Sequence, residues 1–344
     1  MNIGVIGATG LTGKKLVEIL EPEDIDIENL YLFASSRSAG EKIYFRGEEF
    51  AIEELTEESL LSKAIDVVFI ASGNDIAKKY APLLSEKGCY VLDKSSAFRL
   101  EDNVPLIVPE INFDILKRED RIIANPNCTT IPIAIAISAL LKEFDVKKIF
   151  AATYQSVSGA GKEALIDYDS EINDIASGRN PISSYFDFPI VGNLIPQIDD
   201  FYYEGDFSNF TREEVKLVLE LKKILKNKDI FIDTINIRVP VRICHSSAVF
   251  VETEQKCEIE KIVDCFKSSS DITILDDPVN KLYPMPFYLE NTDGTYIGRI
   301  KQAPGSDRNF SFWVVADNLR RGASYNAMVI LKKLIKRGWI EKKI

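Results

Sequence analysis

The segment Asn2-Ile3-Gly4-Val5-Ile6-Gly7-Ala8-Thr9-Gly10-Leu11-Thr12-Gly13 opens the chain with an apolar run that leads into a turn with glycines at every third position. The apolar run predicts a buried strand, and the pattern from Lys14 to Leu20 predicts a helix. A glycine-rich turn between a strand and a helix lets the backbone approach a pyrophosphate, which the helix N-terminus stabilises. The spacing is GxxGxxG instead of GxGxxG, so a turn that serves packing alone stays open as the alternative.

The second predicted strand, Leu30 to Ala34, ends in the polar segment Ser35 to Gly40, with the sequence SSRSAG. An enzyme that uses NAD usually carries an acidic residue here, which binds the ribose 2′-hydroxyl. This chain has serines and Arg37 instead, and those groups suit a 2′-phosphate through charge-assisted hydrogen bonds. The sequence therefore predicts NADP as the cofactor.

Strand and helix patterns alternate through Asp66–Ala71, Asp75–Lys87 and Cys89–Leu92. Repeated units with nearly continuous apolar strands indicate a parallel, doubly wound sheet, and thus a Rossmann-like α/β domain. Ligands bind at the carboxyl ends of such strands, where Ser72 and Gly73 also fall.

The next predicted strand, Arg121–Ala124, is followed by NPNCTT (125–130) and a long apolar helix, Ile131–Leu141. The two threonines are good N-cap residues for that helix. A thiol at a helix N-terminus faces unpaired N–H groups and the positive end of the helix dipole, which favour the thiolate. Cys128 is therefore a candidate nucleophile, with a small buried apolar side chain as the structural alternative.

Composition narrows the class of protein. The 344 residues suit two domains, and the net charge of -11, from 42 basic and 53 acidic residues, argues against binding to nucleic acid or anionic lipid. The five cysteines contain no CxxC pair, so we expect neither a metal site nor a disulfide framework, and a reducing cytoplasm fits best. No apolar run is long enough for a membrane span, and none resembles a cleavable signal.

Beyond about Asp145 the predicted strands become longer, and a polar, aromatic-rich excursion extends from about Asp167 to Phe210. The longer strands are Lys148–Ser156, Ile230–Pro240 and Ser246–Glu252. This pattern indicates a second, α+β domain for catalysis and dimerisation, with a largely antiparallel sheet. We assign 1–127, with a C-terminal helix of about 318–344, to the NADP-binding domain and 128–317 to the second domain. The helix predicted over Ser324–Arg337 could return to pack on the first domain.

The chain contains one histidine, His245, so any cysteine–histidine pair must use it. Taken alone, a lone histidine is more often a surface or satisfied core residue. Arg238 and Arg242 occupy alternate positions of the extended segment before it, so we expect both cations on one face near the histidine. Glu213 and Lys216 lie one turn apart on a predicted helix, where the simplest interpretation is a solvated ion pair.

Nine motifs occur in order over nearly the whole chain: GATGLTG (7–13), SSRSAG (35–40), DKSSAFR (93–99), VPEIN (108–112), NPNCTT (125–130), YQSVSGAGK (154–162), NLIPQID (193–199), RVPV with a histidine seven residues after its arginine (238–245), and VVADNLRRGAS (314–324). Together they resemble the aspartate-semialdehyde dehydrogenase family. The resemblance implies NADPH-dependent reductive dephosphorylation of L-aspartyl 4-phosphate to L-aspartate 4-semialdehyde and phosphate, a step of lysine, threonine and methionine biosynthesis. It also implies a homodimer or a dimer of dimers.

The resemblance also implies roles for individual residues. Cys128 matches the nucleophile, His245 the acid/base and Gln155 the glutamine beside the thiol. Arg238 and Glu213 match the groups that hold the α-carboxylate and the α-amino group of the substrate. The phosphate-binding residues correspond to Arg99, Asn127 and Lys216. The cofactor contacts correspond to Gly7, Thr9, Gly10, Leu11, Thr12, Gly13, Ser35, Arg37, Ser38, Ser72, Gly73, Ser158, Gly159 and Asn318.

Three positions depart from the family pattern: Lys94 replaces a usual asparagine, Cys244 a small residue such as glycine or alanine, and Leu221 a threonine. Two alternatives to the family remain. N-acetyl-γ-glutamyl-phosphate reductase performs the same chemistry on an N-acylated substrate, but an acylated nitrogen has no need of an acid such as Glu213. A catalytically silent NADP-binding relative would have no need of Cys128 and His245.

Overall fold

The computed structural model describes residues 1–340. Up to Ala124 its elements are β1 (Asn2–Ile6), α1 (Leu11–Leu20), β2 (Asn29–Ala34), β3 (Lys42–Phe45), β4 (Glu48–Glu54), α2 (Glu57–Leu61), β5 (Val67–Ile70), α3 (Asn74–Glu86), β6 (Tyr90–Asp93), α4 (Pro109–Asn112) and β7 (Ile122–Ala124). They are followed by α5 (Thr130–Leu140), β8 (Val146–Gln155), α6 (Lys162–Ala176), α7 (Arg212–Ile224), β9 (Phe231–Arg238), β10 (His245–Thr253), α8 (Ile259–Lys267), β11 (Ile272–Ile274), α9 (Pro286–Leu289), β12 (Thr295–Gln302), β13 (Asn309–Ala316) and α10 (Tyr325–Lys336).

The chain divides into two compact units. The first consists of Met1–Asn127 and the C-terminal residues from Ala323, and the second of Cys128–Gly322. The domains that we assigned from the sequence, 1–127 with about 318–344 and 128–317, stay a prediction about units of folding.

The first unit is built on a seven-stranded sheet with the order β3-β4-β2-β1-β5-β6-β7. β1 pairs in parallel with β2 and β5, and the parallel pairing continues through β6 and β7. The hairpin of β3 and β4 adds an antiparallel edge that the sequence patterns did not predict. The predicted Rossmann-like fold of this unit is confirmed.

The strands β1, β5 and β6 at the centre of the first sheet are buried on both faces, in agreement with their mostly apolar sequences. All five residues of β1 are buried. The apolar stripe of α10 (Ala327, Ile330, Leu331 and Leu334) lies in the same core as Ile3 and Leu16. The predicted packing of the terminal helix on the first domain is therefore confirmed.

The strand register decides which loops share one edge of this sheet. Ile6 pairs with Phe33 and with Ile70, and Asp93 pairs with Ile70 and with Ala124. Phe33 lies one residue before the end of β2, and the other four residues end their strands. The segments that follow therefore leave the sheet at its carboxyl edge, where open α/β sheets bind ligands.

The second unit contains a six-stranded sheet with the order β11-β12-β13-β10-β8-β9. The central pairs β12–β13, β13–β10 and β10–β8 are antiparallel, whereas β8–β9 and β11–β12 are parallel. The prediction of a second, largely antiparallel α+β domain is confirmed.

The predicted excursion from about Asp167 was placed too early, because α6 continues to Ala176. Its polar residues point at the segment that follows and bind its backbone. Glu171 Oε2 accepts hydrogen bonds from the amides of Ile190 and Val191, both at 2.8 Å. Asp167 likewise accepts from Ser183 Oγ at 2.6 Å and from the Ser184 amide at 2.7 Å. These carboxylates lie on a helix and form tertiary hydrogen bonds. From the sequence pattern alone they could not be distinguished from the polar residues of a loop.

One face of the second sheet carries buried side chains beneath α5, α7 and α8, which contact one another and the strands. The opposite face exposes the large apolar side chains Phe150, Phe231, Ile235 and Phe250. Phe150 pairs with Phe250 across β8 and β10, and its ring lies 5.6 Å from that of Phe231. We call these four residues the open aromatic face.

Candidate active site

The segment Gly7–Gly13, here called the glycine turn, packs backbone against backbone. Gly7 has a φ of +84°, and a Cβ atom there would lie 2.5 Å from the carbonyl oxygen of Ala71. A Cβ on Gly13 would lie 2.2 Å from the Gly7 oxygen. Gly10 is the N-cap residue of α1, which begins at Leu11. The turn therefore presents backbone N–H groups at a helix N-terminus with no side chain in the way, which fits a pyrophosphate.

The other cofactor residues predicted in the first unit also follow strand ends. Arg37 and Ser38 lie in a 3-10 turn directly after β2, where Ser35 and Arg37 are exposed. Ser72 follows β5, and Gly73 is the N-cap residue of α3. These positions place hydroxyl and guanidinium groups along the same sheet edge as the glycine turn.

Lys94 has a partner in the glycine turn. Its ammonium group donates a hydrogen bond to Thr12 Oγ1, while its carbonyl oxygen accepts from Arg99 Nη2 at 2.6 Å. Arg99 is buried and also donates to the Asn125 oxygen at 2.9 Å, one residue before Pro126-Asn127. Lys94 thus brings its charge to the glycine turn.

Cys128 is the first residue of the second unit and precedes α5 by two positions. Its thiol side chain is half-buried, whereas Cys89, Cys244, Cys257 and Cys265 are buried. Burial raises the pKa of each of those four thiols, so they stay protonated near neutral pH. Thr129 is the N-cap residue of α5, as predicted, but its side chain makes no capping hydrogen bond.

His245 begins β10 and is buried. The amide of Ser156 donates a hydrogen bond to its Nδ1 atom at 3.0 Å, and Ser156 Oγ lies 3.0 Å from the same nitrogen. The residue before it, Cys244, has a φ of +73°. That left-handed conformation is easy for glycine and strained for a residue with a Cβ atom such as Cys244.

Asn318 connects three segments around the histidine. Its Oδ1 atom accepts hydrogen bonds from the Cys244 amide at 2.9 Å and from Ser156 Oγ and Ser158 Oγ at 3.1 Å each. Its Nδ2 atom donates to Ser158 Oγ at 2.9 Å. Asn318 and Ser158, two predicted cofactor residues, are therefore in contact, and together they hold the backbone on both sides of the imidazole.

The predicted substrate groups lie in the same unit. Gln155 Nε2 is 3.4 Å from Glu213 Oε1, and Lys216 Nζ is 3.4 Å from Glu213 Oε2 and 2.6 Å from Asp199 Oδ2. Glu213 and Arg238 are buried, so Glu213 and Lys216 do not form a fully solvated ion pair. Burial lowers the pKa of Arg238, and the neighbouring Glu213 and Cys128 act to raise it.

Gly159 shows how close these groups come. A Cβ on Gly159 would lie 2.9 Å from Arg238 Nη1 and 2.9 Å from His245 Cε1. Arg238 Nη1 also donates to the Ser156 oxygen at 2.7 Å. The segment Ser156–Gly161, here called the serine-glycine loop, therefore runs between the guanidinium and the imidazole, and only a residue without a side chain fits at 159.

Arg242 does not join this group, so the expectation that it shares a face with Arg238 was wrong. β9 ends at Arg238, and the residues from Val239 to Cys244 form no strand, so the alternation of side chains stops there. Arg242 is exposed and forms an ion pair with Asp169.

Sequence reasoning missed three residues of this site. Ser156 touches His245, and the Tyr185 hydroxyl donates to the Ala160 oxygen in the serine-glycine loop at 2.7 Å. A Cβ on Gly322 would lie 2.8 Å from Cys128 Cβ, so the turn after β13 must have glycine there. Ser156 and Gly322 lie inside quoted motifs, but no spacing rule relates them to a partner far along the chain.

The predicted site residues are divided between the units. The first unit contains all predicted cofactor residues up to Gly73, together with Arg99 and Asn127. The second unit contains the other predicted site residues, which are Cys128, Gln155, Ser158, Gly159, Glu213, Lys216, Arg238, His245 and Asn318. Within residues 1–340, no group of three or more His, Cys, Asp or Glu side chains could hold a metal ion, and no helix is long and apolar enough to cross a membrane.

Comparison with known proteins identifies relatives over the full length. Residues 2–118 match the family model described as semialdehyde dehydrogenase, NAD binding domain, and residues 137–321 match semialdehyde dehydrogenase, dimerisation domain. The aspartate-semialdehyde dehydrogenase of Aquifex aeolicus is 35% identical over 98% of this chain and 99% of its own length. That of Campylobacter jejuni is 36% identical over 99% of this chain and 98% of its own. The crystal structure of aspartate semialdehyde dehydrogenase II from Vibrio cholerae is 31% identical, covers 97% of this chain and 98% of its own, and has a TM-score of 0.91. The resemblance predicted from the motifs is confirmed.

Proposed function

This chain belongs to the aspartate-semialdehyde dehydrogenase family, and we propose that it catalyses the NADPH-dependent reductive dephosphorylation of L-aspartyl 4-phosphate to L-aspartate 4-semialdehyde and phosphate. The observation that carries the proposal is the position of Gly159, between Arg238 and His245. A cation that could bind a carboxylate and a histidine thus lie beside one residue, and the charge of a Cys128 thiolate acts to raise the pKa of Arg238.

Cys128 is the proposed nucleophile. Its sulfur attacks the acyl carbon, a C–S bond forms, and the C–O bond to phosphate breaks, which gives a thioester and inorganic phosphate. A partly accessible thiol that precedes a helix suits this step, since the helix N-terminus favours the thiolate. The four other cysteines are buried and protonated, which leaves Cys128 as the candidate.

The second half of the reaction reduces the thioester. Bound NADPH supplies the hydride. The carbonyl oxygen then carries negative charge, and when its C=O bond re-forms, the C–S bond breaks and the thiolate of Cys128 leaves. His245 is the proposed acid/base. It takes the proton of the Cys128 thiol, gives it to the oxygen anion that forms on hydride transfer, and takes it back when C=O re-forms, a task for a group that can exchange a proton near neutral pH.

The proposed substrate-binding residues match the charges of the substrate. Buried Arg238 offers a planar fork to the α-carboxylate, and buried Glu213 offers an anion to a free α-ammonium group. Gln155, within reach of Glu213, lies beside them. An N-acylated substrate brings no cation to pair with Glu213, so this carboxylate favours aspartyl phosphate over N-acetylglutamyl phosphate. Lys216, Arg99 and Asn127 are proposed to bind the phosphate.

NADP is the proposed cofactor. The glycine turn fits the pyrophosphate, and Arg37 with Ser35 and Ser38 would hold the 2′-phosphate. Lys94 adds a cation at Thr12 in that turn. Ser158, Gly159 and Asn318 are proposed to face the nicotinamide end.

We propose a homodimer that buries the open aromatic face. Four large apolar side chains exposed together on one sheet face would favour association, and the family model matched over residues 137–321 is named for dimerisation. A dimer of two such dimers is the alternative assembly. We also propose a cytoplasmic location, where Cys128 would be kept reduced.

The test is reduction of NADP by aspartate semialdehyde with purified protein. We expect NADPH to form only when semialdehyde and inorganic phosphate are both present. N-acetylglutamate semialdehyde is the matched alternative substrate. Turnover of that compound in preference to aspartate semialdehyde would contradict the proposed substrate, and no phosphate-dependent turnover of either by folded protein would contradict the proposed reaction.

A further inference from the structure

Asn326 is a buried polar residue near the start of α10 in the first unit, and the other buried residues of that helix are apolar. Burial of an amide in an apolar core costs free energy unless the amide forms hydrogen bonds. Asn326 Nδ2 donates to the Ile107 oxygen at 3.0 Å and to Asn125 Oδ1 at 2.7 Å. Asn326 therefore connects α10 to the segment that follows β7.

These two contacts decide which way both side-chain amides face. A backbone carbonyl oxygen can only accept, so the atom of Asn326 that faces Ile107 must be the nitrogen. Its second hydrogen points at the side chain of Asn125, which therefore presents its acceptor, Oδ1. The Nδ2 atom of Asn125 is then directed at the Pro126 oxygen, to which it donates at 3.2 Å. Asn326 thus determines the orientation of the Asn125 side chain.

Asn125 begins the segment Asn125–Asn127, here called the proline turn, which follows β7 and precedes Cys128 in the sequence. The backbone N–H of Asn125 donates to the Asp93 oxygen at 2.7 Å, and its carbonyl oxygen accepts from Arg99 Nε at 2.9 Å. The backbone and the side-chain amide of this residue are therefore all hydrogen-bonded. The orientation of its side chain helps to fix the peptide between Pro126 and Asn127.

Arg99 depends on the same turn. Its Nε atom donates to the Asn125 oxygen, and its Nη2 atom donates to the Lys94 oxygen at 2.6 Å. Because a guanidinium group is planar, contacts at these two nitrogens fix its plane. A displacement of Asn125 would therefore turn Arg99 and shift Asn127, the two residues of the first unit that are proposed to bind phosphate.

We propose that Asn326 is a positioning residue for the phosphate-binding side chains Arg99 and Asn127, acting through Asn125. This inference rests on the proposed function and deepens it. Asn125, Asn326, Arg99 and Asn127 are all buried, and hydrogen bonds are electrostatically stronger in a buried network than in water. Loss of the Asn326 amide should therefore weaken the binding of phosphate and spare the binding of the cofactor.

Asn326→Leu tests the proposal, because leucine is close to asparagine in size and forms neither hydrogen bond. In the reduction of NADP by aspartate semialdehyde, we expect KM for inorganic phosphate to rise by at least about tenfold, since a displaced guanidinium loses charge-assisted hydrogen bonds. KM for NADP should stay within about threefold of wild type, because the glycine turn makes no contact with Asn326 or Asn125 in this network. An unchanged KM for phosphate in folded Asn326→Leu would overturn the proposal.

Asn112→Leu is the matched control. The side chain of Asn112 is buried in the same unit, accepts from the Val108 amide at 3.0 Å and donates to the Leu106 oxygen at 2.9 Å. This variant therefore removes buried hydrogen bonds from the segment that contains Ile107, but none from Asn125. The melting temperature should fall in both variants, and KM for phosphate should rise in Asn326→Leu alone. An equal rise in both would assign the effect to the segment around Ile107 and refute the role of Asn326.

Asn125→Ala tests the same path if Asn326→Leu does not fold. It removes the amide that Asn326 orients, so KM for phosphate should rise in this variant as well. In the double variant of Asn125→Ala and Asn326→Leu, KM should be no higher than in Asn125→Ala, because both changes break one contact. A wild-type KM for phosphate in Asn125→Ala, or additive effects in the double variant, would refute the path through Asn125.

The positioning role and the proposed function fail separately. Phosphate-dependent turnover by the wild type, with an unchanged KM for phosphate in Asn326→Leu, would refute only the role of Asn326. Absence of turnover in the wild type would refute the reaction, and isothermal titration with inorganic phosphate would then test Asn326. Weaker binding by Asn326→Leu than by Asn112→Leu would support the role, whereas equal binding or none would refute it.

Discussion

The glycine turn of the first unit and the serine-glycine loop of the second both depend on glycine, but for different reasons. In the glycine turn the missing Cβ atoms make room for backbone, with Gly13 against the Gly7 oxygen. In the serine-glycine loop, Gly159 makes room for the side chains of Arg238 and His245. A methyl group in the first would strain local structure, whereas in the second it would displace the side chains proposed to bind substrate and exchange protons. The two glycines should therefore have opposite mutational signatures.

The largest effect should come from Cys128, which defines the chemistry of the second unit. Cys128→Ser should lower kcat by at least about 10³-fold, because an alcohol ionises far less readily than a thiol. NADP binding, measured by fluorescence titration, should stay near wild type, since the glycine turn is unchanged. Cys257→Ser is the matched control, because its hydroxyl can donate to the Asp307 oxygen that the Cys257 thiol reaches now. A tenth of wild-type activity in Cys128→Ser would contradict the nucleophile.

Gly159→Ala should remove activity and keep the fold. The new methyl group meets the ends of two side chains, which can move, so we expect a small change in melting temperature. A displacement of about 1 Å in a catalytic group costs roughly 100-fold in rate, and kcat/KM should fall by about that factor. Gly294→Ala is the control, since its methyl would meet the ring of Tyr296 at 3.0 Å and neither Arg238 nor His245. Near-wild-type kcat/KM in Gly159→Ala would show that Arg238 and His245 need not be so close.

The difference between the two loops also explains what the sequence could predict. The glycine turn is specified by residues within one strand–turn–helix segment, so its position and cofactor role follow from local spacing. The site around Gly159 joins Ser156, Arg238, His245 and Asn318 from distant parts of the chain, and only family resemblance could assign most of them. Ser156 and Gly322 were missed because their importance lies in a tertiary contact. Arg242 was misplaced because strand alternation was extended past Arg238, where β9 ends.

Gly13→Ala should lower the melting temperature and spare kcat, the reverse of the effects expected for Gly159→Ala. Its Cβ would lie 2.2 Å from a backbone oxygen, which cannot move without the turn. Overpacking of this kind costs about 1–3 kcal/mol, or roughly 1–4 °C in melting temperature for a chain of this size. Differential scanning calorimetry should detect the loss, and KM for NADP should rise by about tenfold. At saturating NADP, kcat should stay within about threefold of wild type. A normal melting temperature with a large loss of kcat would contradict the distinction between the two loops.

The smallest expected effect concerns Arg37, next to the glycine turn along the same sheet edge. The side chain is exposed, so solvent screens its charge, and its contact with a 2′-phosphate should contribute about 1–2 kcal/mol. Arg37→Ala should therefore lower kcat/KM for NADP by about 5- to 30-fold. Its value for NAD should hardly change, because NAD has no phosphate at that position. Lys42→Ala removes an equal charge from an exposed ion pair with Glu49 in the same unit and should leave both values alone. The ratio of the two cofactors is the decisive quantity, since a general electrostatic effect would lower both constants for each variant. An unchanged ratio in Arg37→Ala would mean that the first unit selects its cofactor elsewhere, with Lys94 at Thr12 as the next cation to test.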